Sequence, residues 1–172
     1  MGWFFSLSAE FGSNQIDAKH FAEHFNNLSF ILSDGQQFFC EAGFGLDEGG
    51  VKGKNYWCVV SSIKANKKDI NVFEDWQKMN EIAFRLYERL KLAPTFRYAL
   101  IGVEVDQFLS YEELISDKVA EEKTNINGLV ISENIWKKLN SPRSFVNFQS
   151  GYLWIPFCPL GDYIQGTKLK EN

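Results

Sequence analysis

The two histidines of this 172-residue chain lie together in one short run, His20-Phe21-Ala22-Glu23-His24. Histidines four residues apart share one face of a helix, so both imidazoles can reach a single metal ion. A glutamate beside them can act as general base toward a metal-bound water. One alternative is therefore a metal-dependent hydrolase in which His20 and His24 hold zinc and Glu23 is the catalytic base.

The H-x-x-E-H pattern resembles the inverted zinc motif of the inverzincin peptidases. The resemblance implies a zinc cofactor and a third, carboxylate ligand further along the chain. Glu81 and Glu88 are suitably spaced but point away from the apolar stripe of their predicted helix, whereas Glu104 falls on a predicted central strand. Those peptidases also enclose their substrates in much larger chambers. We favour the interpretation that Phe21 and Phe25 enter the core while the imidazoles line the helix surface, with no cofactor.

A glycine-rich stretch from residue 43 to residue 54 is the next candidate, because such loops can cradle phosphate groups. A P-loop would need glycine where Glu48 stands and Ser or Thr where Asn55 stands, and the predicted following element is a strand. The sequence also lacks a G-x-S-x-G nucleophile elbow. We interpret the stretch as a mobile hairpin loop, and no residue set in the sequence specifies an enzyme.

The aromatic segment near the C-terminus is a candidate for protein binding. Pro156 and Pro159 lack amide donors, so this segment is expected to lie at a sheet edge or to leave the sheet. Exposed aromatic residues on such an edge suit a protein interface, which makes Tyr152, Trp154 and Phe157 candidate partner-binding residues. The alternative is that these three rings pack in the core.

Charge and cysteine content narrow the class of protein. The net charge of −4 argues against binding to nucleic acid or to an anionic membrane and suits a basic protein partner. Cys40, Cys58 and Cys158 have the spacing of neither a disulfide framework nor a zinc site, and buried free thiols indicate a reducing compartment. No apolar run approaches the roughly 18 residues of a membrane span. We therefore expect a soluble, cytoplasmic protein.

The remaining pattern predicts the elements. Aromatic residues make up 16% of the chain, enough to build a large aromatic core. Apolar residues alternate from Trp3 to Glu10, which predicts a strand with one buried face. The pair Asp34-Gly35 predicts a hairpin, an apolar stripe from residue 73 to residue 91 predicts a long helix, and Ser110 with Glu113 predicts a capping box at the start of a helix that runs to about Lys123.

The predicted fold class is α+β: one domain over residues 1–165, with a mainly antiparallel sheet of about six to eight strands and three or four helices packed over one face. Residues 166–172 are expected to be a disordered tail. We expect a non-catalytic protein-binding domain, of the kind found among inhibitor and immunity proteins. The metal-dependent hydrolase and a small-ligand carrier with an aromatic pocket are the alternatives.

Overall fold

The computed structural model describes residues 5–47, 55–64, 75–105, 109–116, 125–159 and 161–162. Within these ranges the chain forms eight strands and four helices. The strands are β1 (Phe5–Glu10), β2 (Ser29–Ile31), β3 (Gln37–Leu46), β4 (Tyr56–Lys64), β5 (Tyr98–Val103), β6 (Val130–Ser132), β7 (Val146–Gln149) and β8 (Tyr152–Trp154). The helices are α1 (Gln15–Phe25), α2 (Trp76–Leu90), α3 (Tyr111–Ile115) and α4 (Glu133–Lys138).

All eight strands form one sheet in the order β2-β3-β4-β1-β5-β6-β8-β7, and each neighbouring pair is antiparallel. Tight turns join β2 to β3 and β7 to β8, with φ at 81° for both Gly35 and Gly151. Glycine adopts this left-handed conformation without a steric penalty. The predicted α+β class, the antiparallel sheet and the central place of the strand that became β5 are confirmed.

Helices cover both faces of the sheet, so the prediction that they pack over one face was wrong. Successive residues of β5 point to opposite faces. Ala99 and Ile101 belong to the cluster formed with α1 and α2, whereas Tyr98 and Leu100 belong to the cluster formed with α3 and α4. We call these the α1 face and the α3 face. The α3 face was missed because its helices are too short to show a clear apolar stripe.

Strand β1 lies at the centre of this arrangement and is buried on both faces. The sequence predicted one buried face, because Ser6, Ser8 and Glu10 alternate with apolar residues. All six residues of β1 are buried in the structure. The reason is topological: β4 and β5 flank β1 in the sheet, and helices of the two clusters lie above and below this region.

Side-chain caps define the first turns of α1 and α3. Asn14 caps α1 by accepting a hydrogen bond from Asp17 N at 3.0 Å. Ser110 and Glu113 form the predicted capping box of α3. That helix ends at Ile115 rather than near residue 123, and residues 117–124 lie outside the described part of the chain.

The glycine-rich stretch is the main correction in secondary structure. Residues 43–46 continue strand β3 instead of forming a loop, and residues 48–54 lie outside the described ranges. The period of two in Phe38, Cys40 and Ala42 runs on through Phe44 and Leu46. Gly43 and Gly45 alternate with these residues, and their presence led to the prediction of a loop instead of a strand. The predicted tail at 166–172 also falls outside the described residues.

Candidate functional site

Strand β3 has one hydrogen-bonding edge that faces away from β4. Alternate residues present their N–H and C=O groups to this side, and the first of them pair with β2. Cys40 N then donates to Leu28 O at 2.8 Å, and Cys40 O accepts from Asn27 N at 3.3 Å. The side chain of Asn26 continues this ladder: Ala42 N donates to Asn26 Oδ1 at 2.8 Å, and Asn26 Nδ2 donates to Ala42 O at 3.1 Å. Asn26 thus stands in for one residue of a strand.

Beyond Ala42 the described part of the chain supplies no further partner to this edge. The same alternation directs the N–H and C=O groups of Phe44 and Leu46 outward. On the opposite side, Asp47 N donates to Asn55 O at 3.0 Å and so extends the ladder with β4. Residues 43–46 are all exposed. We call residues 43–46 the open edge.

Side chains differ on the two faces of the open edge. Phe44 and Leu46 lie on the α1 face and are exposed. Gly43 and Gly45 lie on the α3 face, directly across from Val59 and Trp57. A Cβ atom at either glycine would meet nothing within 4 Å. Space therefore lies over both glycines, beside two half-buried apolar side chains.

Exposed apolar residues are concentrated on the two strands that include this edge. Of the eight exposed large hydrophobic side chains in the described ranges, four lie on β2 and β3. They are Ile31, Phe39, Phe44 and Leu46. Ile31 and Phe39 lie on the α3 face, whereas Phe44 and Leu46 lie together on the α1 face. Scattered exposed apolar residues are ordinary on a protein surface, but neighbouring ones such as Phe44 and Leu46 can mark an interaction site.

The same part of the chain is acidic. From residue 25 to residue 51 the sequence contains no Lys, Arg or His, but it contains Asp34, Glu41, Asp47 and Glu48. Asp34 is paired with Lys78 at 3.3 Å. Glu41 is exposed on β3. Within the described ranges, the open edge therefore combines backbone groups that have no partner with exposed apolar side chains, and Glu41 and Asp47 place carboxylates close by.

A second polar cluster, on the α3 face, was not anticipated from the sequence. Glu10 is fully buried and accepts hydrogen bonds from Gly12 N at 2.9 Å, from Arg97 Nε at 2.6 Å and from Arg97 Nη2. The Arg97 guanidinium carbon lies 3.8 Å from the centre of the Tyr111 ring. Lys138 Nζ in turn donates to the Tyr111 hydroxyl at 2.6 Å. Burial tends to lower the pKa of Arg97, but the hydrogen bond and charge of Glu10 raise it overall.

This cluster is built for structure rather than for proton transfer. The Glu10 carboxylate already holds three donors, so it is not a free base. Gly12 has φ at 60°, and a Cβ there would lie 3.0 Å from Arg97 Cζ. The sequence signal that could have revealed the cluster is a charged residue, Glu10, within an otherwise buried strand, since buried charges are almost always paired.

The predicted metal site is not assembled. His24 Nε2 lies 3.1 Å from the carbonyl oxygen of Arg89, to which it donates. His20 and Glu23 are exposed, and Glu23 is 3.8 Å from Lys19 across one turn of α1. In the described ranges no group of three or more His, Cys, Asp or Glu residues could hold a metal ion.

The carboxylates considered as a third ligand lie elsewhere. Glu81 accepts hydrogen bonds from Ser33 N and Oγ at 2.8 and 2.9 Å, and Glu88 pairs with Lys91 at 2.8 Å. Glu104 was expected on a central strand with a buried side chain. It is instead exposed, just beyond the end of β5, with φ at 53°. None of them is placed beside His20 and His24 by a contact in the structure.

The structure places Tyr152, Trp154 and Phe157 against the core. All three are half-buried and pack on the α1-face cluster. The Tyr152 hydroxyl donates to Phe96 O at 2.8 Å, and the rings of Trp154 and Phe157 contact Tyr87. Strand β8 is flanked by β6 and β7, so it is not an edge strand. It ends at Trp154, so the chain leaves the sheet before Pro156, which was one of the two predicted positions for this segment.

The cysteines are free thiols, and two of them are strongly desolvated. Burial raises the pKa of Cys40 to about 11 and that of Cys58 to about 12. A thiol with so high a pKa carries almost no thiolate at neutral pH and is a poor nucleophile. Cys158 is half-buried.

Comparisons with protein-family models, with curated proteins and with solved structures find nothing that matches this chain. In the described part of the chain, none of the helices has both the length and the apolar character needed to cross a membrane.

Proposed function

We propose that this protein is a non-catalytic protein-binding domain that recognises a basic protein partner, in the manner of a stoichiometric inhibitor or immunity-type protein. The observation that carries the proposal is the coincidence, on β2 and β3, of exposed apolar side chains with a segment that has acidic residues but no basic ones. Apolar contacts supply affinity, and complementary charge supplies orientation and a fast association rate.

The state of the potential catalytic groups supports this proposal. His24 is bonded to Arg89, Glu10 to Arg97, and Glu81 to Ser33. Each of these groups holds elements of the fold together. The buried thiols of Cys40 and Cys58 have raised pKa values. These residues are therefore explained by stability alone, whereas the exposed apolar residues of β2 and β3 contribute nothing to the core.

The test is affinity purification from native cells with a pair of matched surface variants. The first variant, Phe44→Ser with Leu46→Ser, removes apolar side chains at the open edge. The control, Phe84→Ser with Leu92→Ser, removes two exposed apolar side chains on and after α2. Circular dichroism and thermal unfolding must first establish that both variants fold.

We expect a basic protein to be recovered at one-to-one stoichiometry with the wild type and with the control, but not with the first variant. Its association rate should fall as ionic strength rises, because the charge attraction is screened. Recovery of no stoichiometric partner contradicts the proposal, as does equal recovery with both variants.

A further inference from the structure

We infer that the partner binds by adding a β-strand to the open edge, through an extended basic segment that carries a large apolar side chain over Gly45. This inference deepens the proposed function and rests on it. It specifies how the partner is held and what chemistry its binding segment has.

The backbone of the open edge is suited to strand addition. Phe44 and Leu46 direct two N–H and two C=O groups outward, at the end of a ladder that β2 and then Asn26 occupy up to Ala42. A bound strand would therefore begin where Asn26 stops. Main-chain hydrogen bonds of this kind supply affinity in many peptide complexes, while alternate side chains supply specificity.

The side chains of an added strand would meet two different surfaces. Those on the α1 face would contact Phe44 and Leu46. Those on the α3 face would lie over Gly43 and Gly45, where no atom is within 4 Å of a Cβ position. A large apolar side chain there can extend across the glycine toward Trp57, which lies directly across from Gly45 on β4. Aromatic side chains commonly compensate for glycine on a neighbouring strand in this way.

Charge identifies the occupant as a basic segment rather than a second copy of this chain. The stretch from residue 25 to residue 51 holds only acidic charges, including Glu41 on β3 and Asp47 beside the open edge. Pairing two copies through this edge would bring two such stretches together, and like charges across strands are destabilising. Lysine or arginine on the α3 face of the added strand, before and after the large apolar residue, would instead be attracted to Glu41, which lies on that face of β3.

The experiment uses synthetic peptides of about ten residues, long enough for one strand. The basic peptide alternates Lys with Val and has Trp in place of the central Lys, so that Trp and Lys share one face of the strand and Val forms the other. Its first control replaces each Lys by Glu. Two further controls keep the basic sequence but carry N-methyl groups, one peptide on its odd-numbered amides and the other on its even-numbered amides. Because alternate amides point to opposite sides of a strand, only one of these two peptides loses the donors that face β3. Binding is measured by NMR titration of the backbone amides.

Two protein variants isolate the backbone contribution. Phe44→Ala removes the ring but keeps the outward N–H group, whereas Phe44→Pro removes both. Proline is tolerated on an edge strand where its nitrogen faces solvent, so the ladder with β4 is retained. Loss of one hydrogen bond should make binding to F44P about tenfold weaker than binding to F44A.

We expect saturable binding of the basic peptide, with shifts centred on Phe44 and Leu46, no binding of the acidic peptide, and loss of binding with one of the two N-methylated peptides. Equal affinity for F44A and F44P overturns the inference, and so does an absence of saturable binding up to about 1 mM peptide. If native cells yield a one-to-one partner that is retained by F44P, strand addition is wrong while the proposed function stands.

Discussion

The guanidinium of Arg97 and the carboxylate of Glu10 form a two-point ion pair where β1 ends and β5 begins, with Arg97 Nε donating to Glu10 Oε2 at 2.6 Å. The two partners differ in solvent access: the Arg97 side chain is 31% exposed, whereas that of Glu10 is fully buried. Water can therefore solvate the arginine but not the glutamate. The buried carboxylate of Glu10 therefore needs Arg97 as a partner more than the guanidinium of Arg97 needs Glu10.

This asymmetry predicts unequal effects of two substitutions. Arg97→Met should destabilise the protein by about 3–5 kcal/mol, because it leaves an uncompensated buried carboxylate. Glu10→Gln should have a smaller effect, about 1–3 kcal/mol, because Arg97 can still reach water. The double variant should lose less stability than the sum of the two, since the residues are in direct contact. Urea unfolding measures all three.

Lys138→Met provides the control for that series. Lys138 is exposed and contacts the outer side of the cluster through the Tyr111 hydroxyl. Substitutions at exposed positions change stability by about 0.5 kcal/mol or less. An Arg97→Met variant no less stable than Glu10→Gln would contradict the dependence of Glu10 on its partner.

Two serines of β1 should be less stabilising than alanine. Ser6 and Ser8 are buried on the α3 face, and neither hydroxyl has a hydrogen-bond partner in the described part of the chain. Burying an unpaired hydroxyl costs about 1–3 kcal/mol, so Ser6→Ala and Ser8→Ala should each raise the free energy of unfolding by about 1 kcal/mol. Ser110→Ala, which removes the bonded cap of α3, should lower it by about as much. Unchanged or reduced stability in both β1 variants would mean that the hydroxyls are satisfied.

Local patterns were enough to predict most of the elements. The apolar stripe of α2, the turn at Gly35 and the capping box at Ser110 are each set by residues close in sequence, and each is confirmed. Such local patterns could not predict that β1 is buried on both faces. This burial depends on which strands and helices surround β1, which is a property of the whole sheet.

The candidate sites were harder to predict for the same reason. Glu10 and Arg97 are 87 residues apart, and their pairing follows from the adjacency of β1 and β5. The open edge required knowing that the short strand β2 covers only part of β3 and that Asn26 closes the next position. The histidines, by contrast, were conspicuous in sequence, yet the structure uses His24 to bond one helix end to another.

Gly128 should resist substitution more strongly than Gly151. Both have left-handed backbones, with φ at 84° and 81°. A Cβ at Gly128 would collide with the Tyr87 hydroxyl, whereas at Gly151 it would meet nothing within 4 Å. Gly151→Ala should therefore lower the free energy of unfolding only through backbone strain, by about 1–3 kcal/mol, and Gly128→Ala should lower it further. Thermal unfolding tests this, and Gly128→Ala should be less damaging in a Tyr87→Phe background. Equal losses at the two glycines would argue against the collision.

His24 should make stability depend on pH in the mildly acidic range. It and Arg89 cross-link the ends of α1 and α2: His24 Nε2 donates to Arg89 O at 3.1 Å, and Arg89 Nη2 donates to His24 O at 2.9 Å. Burial lowers the pKa of His24 below its ordinary 6.5, so the unfolded chain binds the proton more tightly. The stability that this difference contributes is complete above about pH 6.5 and is lost as the pH falls through the pKa of the folded protein.

Urea unfolding at about pH 7.5 and about pH 5 tests this dependence. The free energy of unfolding should decrease more for the wild type than for His24→Gln, which keeps a neutral donor. His20→Gln, at an exposed position, should behave as the wild type, and an equal decrease in all three proteins would rule out His24 as the source.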